Sequence, residues 1–421
     1  MVQIGFSDEG TSNFSFKKLQ NGYVVPDVSV AELRRRHRQQ IREQVEVAVT
    51  AERLGYDYAV HPEHHFPLSG PLSPNPVLTQ TAIAQQTEDI RLLQMANILP
   101  WQDPVRLAEQ VAMLDILSDG RAEVGVGRGS KGVEAATLGQ YWGGSVQNET
   151  QNRQSFEEKL DIILAAWTDD FVAHEGRFHS VPPKYTQWDN DLERLFLDGA
   201  SDHDPEEYFD DDAGTTTLDS LFVSPDTQQR PHPQLWKPAV SPGSMEWAAR
   251  RGINACTFCT MFDNVSERIE TYYEAAEDAG WPDHRPDYDG TPFKFGWDAD
   301  RGRGVAAIFE VFNTEVATDE ATEHWKLGQE FQQSLSKATS PPKKAERIEI
   351  DAESLIEQYD APIVGDTDEI LDAVAQFAET CDYEDLILIP AFNIAGMTRE
   401  EHEVQLQSFA DDIVPYFEDE S

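Results

Sequence analysis

Residues 91–130 read RLLQMANILPWQDPVRLAEQVAMLDILSDGRAEVGVGRGS, and this stretch decides the fold. Residues 91–99 form an apolar run of strand length. Asp103 and Pro104 then supply an N-cap and a first-turn proline, and residues 105–117 carry apolar side chains at helical spacing. Ser118-Asp119-Gly120 stops the helix, residues 121–126 make a second apolar run, and Gly127-Arg128-Gly129-Ser130 follows it. Strand, helix and strand in this order make a βαβ unit, whose two strands lie parallel.

The same alternation extends both ways. Upstream, residues 2–6 and 57–60 read as strands and 38–54 and 76–87 as helices; Ile41, Val45 and Ala48 mark one helical face that stops at Gly55. Downstream, strands are expected at 234–240, 253–258, 305–314 and 385–390. Helices are expected at 155–167, 244–251, 266–279, 318–336, 367–380 and 400–417. Eight strand candidates favour an α/β fold of the closed (β/α)8 TIM-type barrel over an open sheet. We expect one domain over 1–421 with insertions at about 187–229 and about 336–363. Residues 187–220 hold 12 acids and one arginine, which reads as a surface excursion.

The chain has 421 residues, 39% hydrophobic and 10% aromatic, as a globular protein requires. Its charge is unusual: 33 Lys+Arg against 77 Asp+Glu give −44, and only 11 of the basic residues are lysine. Such a polyanion repels nucleic acid and anionic membranes, which excludes both as partners. No apolar run approaches the ~20 residues that span a bilayer, and no signal-peptide pattern opens the sequence. Three cysteines make no disulfide framework, so a cytoplasmic location is expected. Dispersed acid with scarce lysine fits a surface adapted to high salt.

A parallel barrel gathers its site at the C-terminal ends of the strands. The second strand is followed by His61-Pro62-Glu63-His64-His65-Phe66, a group suited to proton transfer or cofactor contact, to a metal, or to a structural polar loop. A metal-dependent hydrolase would use His61, His64 and His65. It would also need ligands at other strand ends, where the sequence instead offers Pro100, Gly-Arg-Gly, Ser-Pro-Gly-Ser and Cys-Thr-Met. Gly127, Arg128, Gly129 and Ser130 allow a phosphate to approach backbone and guanidinium. Ser241, Gly243 and Ser244 open a helix whose free N–H groups favour an anion. Two such turns in one barrel point to a phosphorylated cofactor, while the absence of GxGxxG after the first strand and of GxxxxGK[ST] disfavours Rossmann and P-loop sites. Cys256 and Cys259 read as strand packing ahead of a redox dithiol, and Cys381 has no evident partner in the sequence.

Residues 51–66 (AERLGYDYAVHPEHHF), 99–115 (LPWQDPVRLAEQVAMLD), 118–129 (SDGRAEVGVGRG), 246–252 (EWAARRG) and 363–369 (IVGDTDE) together resemble the luciferase-like flavin monooxygenase superfamily. The resemblance implies a (β/α)8 barrel binding reduced FMN and using dioxygen on a small organic substrate. It implies that His64 is the catalytic histidine, with Glu63 beside it in the motif. Met95-Ala96 then falls where the family has a non-prolyl cis peptide under the flavin, with Asn97 next. Arg128, within Gly127–Ser130, and the Ser241, Gly243, Ser244 turn fall on the phosphate site. Gly127 replaces a reactive cysteine of luciferase, which argues against light emission. The superfamily also includes enzymes of the deazaflavin F420, so F420-dependent hydride transfer is the alternative, and a flavin-binding protein without turnover is another. No nicotinamide motif is present, which implies a separate flavin reductase as partner; by family resemblance the chain is a homo-oligomer, a dimer.

Overall fold

The structure, a computed structural model, describes residues 2–68, 70–139, 148–212, 215–258, 263–281, 304–355, 362–381 and 386–419. Eight strands follow the expected order: β1 (Gln3–Ser7), β2 (Tyr58–His61), β3 (Arg91–Ile98), β4 (Ala122–Gly127), β5 (Gln234–Pro238), β6 (Asn254–Phe258), β7 (Val305–Asn313) and β8 (Ile387–Ala391). Each strand bonds to the next in the chain and β8 returns to β1, so the parallel sheet closes into a (β/α)8 barrel. A short strand that sequence patterning did not anticipate, Ile363–Gly365, pairs with the end of β7.

Alternation along the strands fills the barrel. Tyr58, Val60, Leu93, Met95, Trp236, Cys256, Ala306, Ile308, Ile387 and Ile389 form one buried cluster inside it. At its N-terminal end the buried Glu123 carboxylate accepts from Arg91 (3.1 Å), from the Tyr58 hydroxyl (3.3 Å) and from the Trp236 indole, so a buried charge is fully partnered. Cys256 packs in this cluster, as its strand position suggested; Cys259 lies outside the described residues.

Helices start where short polar side chains cap them. Ser29 caps α1 (Val30–Arg53), Asn75 caps α2 (Pro76–Ala84) and Asp103 caps α3 (Pro104–Leu117), the last two with proline in the first turn. Further along are α4 (Glu149–Thr168), α5 (Pro242–Ala249), α6 (Asp263–Asp278), α7 (Asp319–Thr339), α8 (Thr367–Cys381) and α9 (Arg399–Asp412). Among the described residues no helix is long and apolar enough to cross a membrane. Cys381 is buried on α8, and burial pushes its thiol up to about 12.

Contacts divide the chain into two compact units. The first comprises Met1–Asn97, Arg121–Val126 and Gln234–Ser421. The second comprises Ile98–Gly120 and Gly127–Pro233. Within the second, the Trp167 indole donates to Ala108 O (3.1 Å), and the buried Lys159 ammonium donates to Pro100 O (2.9 Å). The acidic stretch 187–229 has structure of its own: a helix, Asp191–Ala200, capped by Asn190, and a hairpin pairing Phe209–Asp212 with Thr215–Leu218. Its end is tied down where Gln229 donates through backbone and amide to the buried Asp115 carboxylate at 2.9 and 2.6 Å. The second expected insertion begins inside α7, which runs three residues past its predicted end to Thr339, and continues through Pro342–Ala345 and Glu353–Leu355.

Candidate active site

In the first unit, the chain leaving β2 carries three histidines that point three ways. His61 lies on the outer face of the strand, edge-on to Phe6 with ring centroids 6.4 Å apart. Its Nδ1 lies 3.3 Å from the Gln80 amide of α2, and burial pulls it down to about 4. A backbone bridge between His64 and Ser73 closes the next loop and leaves the His64 ring partly exposed. Nε2 of His64 is 3.8 Å from a Glu9 oxygen, whereas Nε2 of His65 is 2.9 Å from Oε1 of Glu63. Glu63 is buried, with its carboxylate engaged by His65. His61 therefore does not join His64 and His65 in one ligand set. Among the described residues no group of three or more His, Cys, Asp or Glu is placed to hold a metal ion.

Three carboxylates, two just past β1 and one inside β7, were not evident from the sequence. Asp8 and Glu9 follow β1 directly. Asp8 is buried, accepts from the Gly10 N–H (2.8 Å) and the Asn393 amide (2.9 Å), and is pushed up to about 6 by burial. Glu9 accepts from the Ser7 hydroxyl at 3.0 Å. Glu310 sits at the inward parity of β7 with Ala306 and Ile308, in register with Ala391, which is itself paired with Ser7. It accepts from Gln329 (2.8 Å) and Gln332 (3.1 Å), and burial raises its pKa. A lone acid inside the apolar run VAAIFEVFN was the available signal for Glu310, and an acid pair just past the first strand was the signal for the other two.

At the end of β3 the peptide between Met95 and Ala96 is cis, at the position the family resemblance named. Met95, Ala96 and Asn97 are all buried, and the Asn97 amide donates to Gln94 Oε1 and Gly125 O, both at 3.3 Å. At α5, Ser241 and Ser244 form a capping box. The Ser244 hydroxyl donates to Ser241 O (2.8 Å) and accepts from the Ser241 N–H (3.1 Å). Both side chains turn onto the helix end. Gly243 between them faces open space, with no atom within 4 Å of where a Cβ would stand.

In the second unit, Gly127 closes β4 and Arg128 follows it, partly exposed. Its guanidinium lies 3.5 Å from Glu149, a mostly exposed carboxylate that Arg153 also approaches at 3.7 Å. Asn152 donates to the Arg128 carbonyl at 3.1 Å and fixes the turn. Gly129 has φ +73°, and a Cβ there would stand 2.2 Å from the Trp101 indole, so only glycine fits. Ser130 is exposed. The predicted residues thus form local sets: His64 with Glu9, Glu63 with His65, Asn97 with Gln94, Ser241 with Ser244, and Arg128 with Glu149.

Residues 22–192 match the family model described as luciferase-like monooxygenase. Over 238 residues the chain is 24% identical to the oxygenase component of the flavin-dependent trigonelline monooxygenase of Acinetobacter baylyi, covering 56% of this chain and 53% of that one. Over 251 residues it is 27% identical to the 3,6-diketocamphane 1,6-monooxygenase of Pseudomonas putida, covering 58% and 59%. A further relative is an F420-dependent glucose-6-phosphate dehydrogenase of Amycolatopsis mediterranei, 27% identical over 143 residues and covering 33% and 42%. The chain spans about half the length, or less, of these curated relatives. The solved oxygenating constituent of Pseudomonas putida 3,6-diketocamphane monooxygenase, in complex with FMN, has the same fold, with a TM-score of 0.64, 20% identity and 99% of each chain covered. The match agrees with the resemblance read from the sequence over residues 22–192, less than half of the chain.

Proposed function

We propose, from the match of residues 22–192 to the luciferase-like monooxygenase family, that the protein is the oxygenase component of a two-component flavin monooxygenase acting on a small apolar organic substrate. The observation that carries this reading is the pairing of His64 with Glu9 at the strand ends of a closed barrel, inside the Glu63–Phe66 motif. Reduced FMN, delivered by a separate reductase, supplies the electrons with which dioxygen is activated.

Within each unit there are residues whose chemistry supports that cofactor. Among the described residues the Arg128 guanidinium makes a loose pair with an exposed carboxylate, which a phosphate could displace. Gly243 leaves the first turn of α5 open to an anion, while Ser241 and Ser244 keep that turn rigid. Gly129 lets the turn after β4 pack on Trp101, which leaves Ser130 exposed beside Arg128. Met95, Ala96 and Asn97 would carry the flavin ring on a buried, hydrogen-bonded shelf. His64, partly exposed with a Glu9 carboxylate oxygen 3.8 Å from its Nε2, would hold or move a proton, and Glu63 would keep His65 turned away from that task. We place the protein in the cytoplasm as a homodimer.

An F420-dependent hydride transfer on the same barrel is the second reading, favoured by the F420-dependent relative. Spectral titration of protein purified in high salt decides between them. We expect reduced FMN to bind and oxygen to be consumed when an aldehyde, ketone or alkane is added. Binding of F420 with no FMN affinity overturns the oxygenase reading.

A further inference from the structure

The second unit contains a cavity of about 280 Å³ whose lining includes none of the residues named above for the flavin. That volume lies at the lower edge of the ~300–1,000 Å³ typical of small-molecule sites. The cavity is built from the acidic stretch and the segment after α4. A two-way backbone bridge between Val172 and Leu221, at 2.8 and 2.9 Å, sets Phe171 beside Phe222. The helix Asp191–Ala200 contributes Glu193 and Phe196, three residues apart and hence on one face. Tyr208 is presented just ahead of the hairpin and accepts from the Asp219 N–H at 2.9 Å.

The rings are arranged as walls, not as a stack. Around Phe171, the Tyr208 ring stands 5.4 Å away at 49°, Phe222 6.5 Å away at 69°, and the His203 ring 4.8 Å away at 67°. Phe196 is 58% exposed and Phe222 65%, so their faces look onto an open space instead of filling it. Carboxylates complete the lining. Asp170 is 80% exposed, with one oxygen 3.3 Å from His203, and Glu193 accepts from the Trp188 indole at 2.8 Å. No lysine or arginine is among the lining residues. The negative charge of Glu193 adds to burial in raising the Tyr208 phenol.

Aromatic faces carry negative quadrupole potential, and carboxylates add full charge; the two together attract a positive group with an apolar shell. An anion would be repelled, and a small inorganic cation would remain hydrated against the phenyl rings. We propose that this cavity binds a small organic cation, an alkylammonium or quaternary ammonium group, boxed by Phe171, Phe196, Tyr208 and Phe222 and neutralised by Asp170 and Glu193. The site is independent of the flavin reading, because it needs neither cofactor nor turnover.

Choline and its uncharged isostere 3,3-dimethylbutan-1-ol test it, titrated separately by calorimetry into the full chain at fixed KCl concentration. Choline should bind on the order of 10-fold more tightly than the alcohol, the ratio that one cation–π contact set gives. Phe222→Leu and Glu193→Gln alter surface side chains, and unchanged circular dichroism will verify that both fold. Each should weaken choline about 5-fold or more and leave the alcohol unaffected. Equal affinity for choline and alcohol would reduce the cavity to an apolar slot and overturn the proposal. Absence of choline binding at millimolar concentration, or choline affinity unchanged in both variants, overturns it as well.

Discussion

Oε2 of Glu9 stands 3.8 Å from Nε2 of His64, and the other Glu9 oxygen accepts from the Ser7 hydroxyl at 3.0 Å. The carboxylate is thereby held at the exit of β1, where its charge acts on the imidazole at the exit of β2. We expect His64→Ala to bind reduced FMN almost normally and to lose roughly 10²–10⁴-fold in product formation, the range for a positioned acid–base group. Glu9→Gln, which keeps shape and removes charge, should lose on the order of 10-fold in kcat with the flavin Kd and the Tm unchanged. Stopped-flow turnover beside an anaerobic flavin titration measures both. Wild-type turnover in the His64 variant would remove the histidine from the reaction.

The phosphate grip has its own signature. Arg128→Lys retains the charge but loses the planar fork, so reduced-FMN affinity should fall by about 1–3 kcal/mol. In Ser244→Ala the helix end loses the hydroxyl that both donates to and accepts from Ser241. That change should cost about 1 kcal/mol of stability and less affinity than Arg128→Lys, because the backbone around Gly243 remains. Titration under nitrogen and thermal melts separate the two effects. Unchanged affinity in both variants would place the phosphate elsewhere.

The barrel was legible in the sequence because local signals agreed at every level. Asp103-Pro104 both capped and started α3, and the inward residues Val60, Leu93, Cys256 and Ile308 fell in short apolar runs between polar turns. The motif histidines were legible as a group but not as individuals. Adjacent letters cannot show that His61 faces α2 while His64 faces Glu9, since that depends on where Pro62 turns the chain and on which strand lies alongside. Asp8, Glu9 and Glu310 went unread for a related reason. The charge of Glu9 reaches Glu310 because β7, β8 and β1 follow one another in the closed sheet, and residues 9 and 310 carry no shared local pattern. The aromatic cavity was hidden by composition: 12 acids in residues 187–220 suggested solvated chain, whereas Phe196, Tyr208 and Phe222 converge there through the hairpin and the 172–221 bridge.

Acid stability should depend on the buried His61. Burial pulls its pKa to about 4, against ~6.5 for the unfolded chain. Between those values the unfolded chain takes up a proton that the folded chain refuses. Stability is therefore fully present above pH ~6.5 and is lost as pH falls toward 4, by about 3 kcal/mol for this one group. His402, pulled to about 3 by burial, acts in the same sense. Asp8 and Glu310, both raised by burial, act in the opposite sense, so the informative quantity is a difference. Denaturant unfolding of wild type and His61→Gln at pH 7, 6 and 5 should show a shallower acid loss in the variant. Parallel curves would mean that His61 takes up its proton at the same pH in the folded and the unfolded chain.

Salt should control whether the chain stays folded. A net charge of −44 cannot be neutralised within the chain: with 77 acids against 33 bases most carboxylates have no cation to share, and even the paired Glu149 and Asp170 have side chains 73% and 80% exposed. Exposed pairs that do form contribute little each, on the order of 0–1 kcal/mol, and cannot offset repulsion summed over the whole surface. That repulsion reaches across ~10 Å at 0.1 M salt and only about 2 Å near 3 M, because the Debye length shrinks with ionic strength. We therefore expect cooperative structure in ~3 M KCl and its loss on dialysis toward ~0.1 M, followed by circular dichroism. Sucrose at low ionic strength serves as the control, since it favours compact states through exclusion without screening charge. Rescue by KCl and not by sucrose assigns the effect to charge. Full structure retained at ~0.1 M KCl would show that the acidic surface is tolerated without salt.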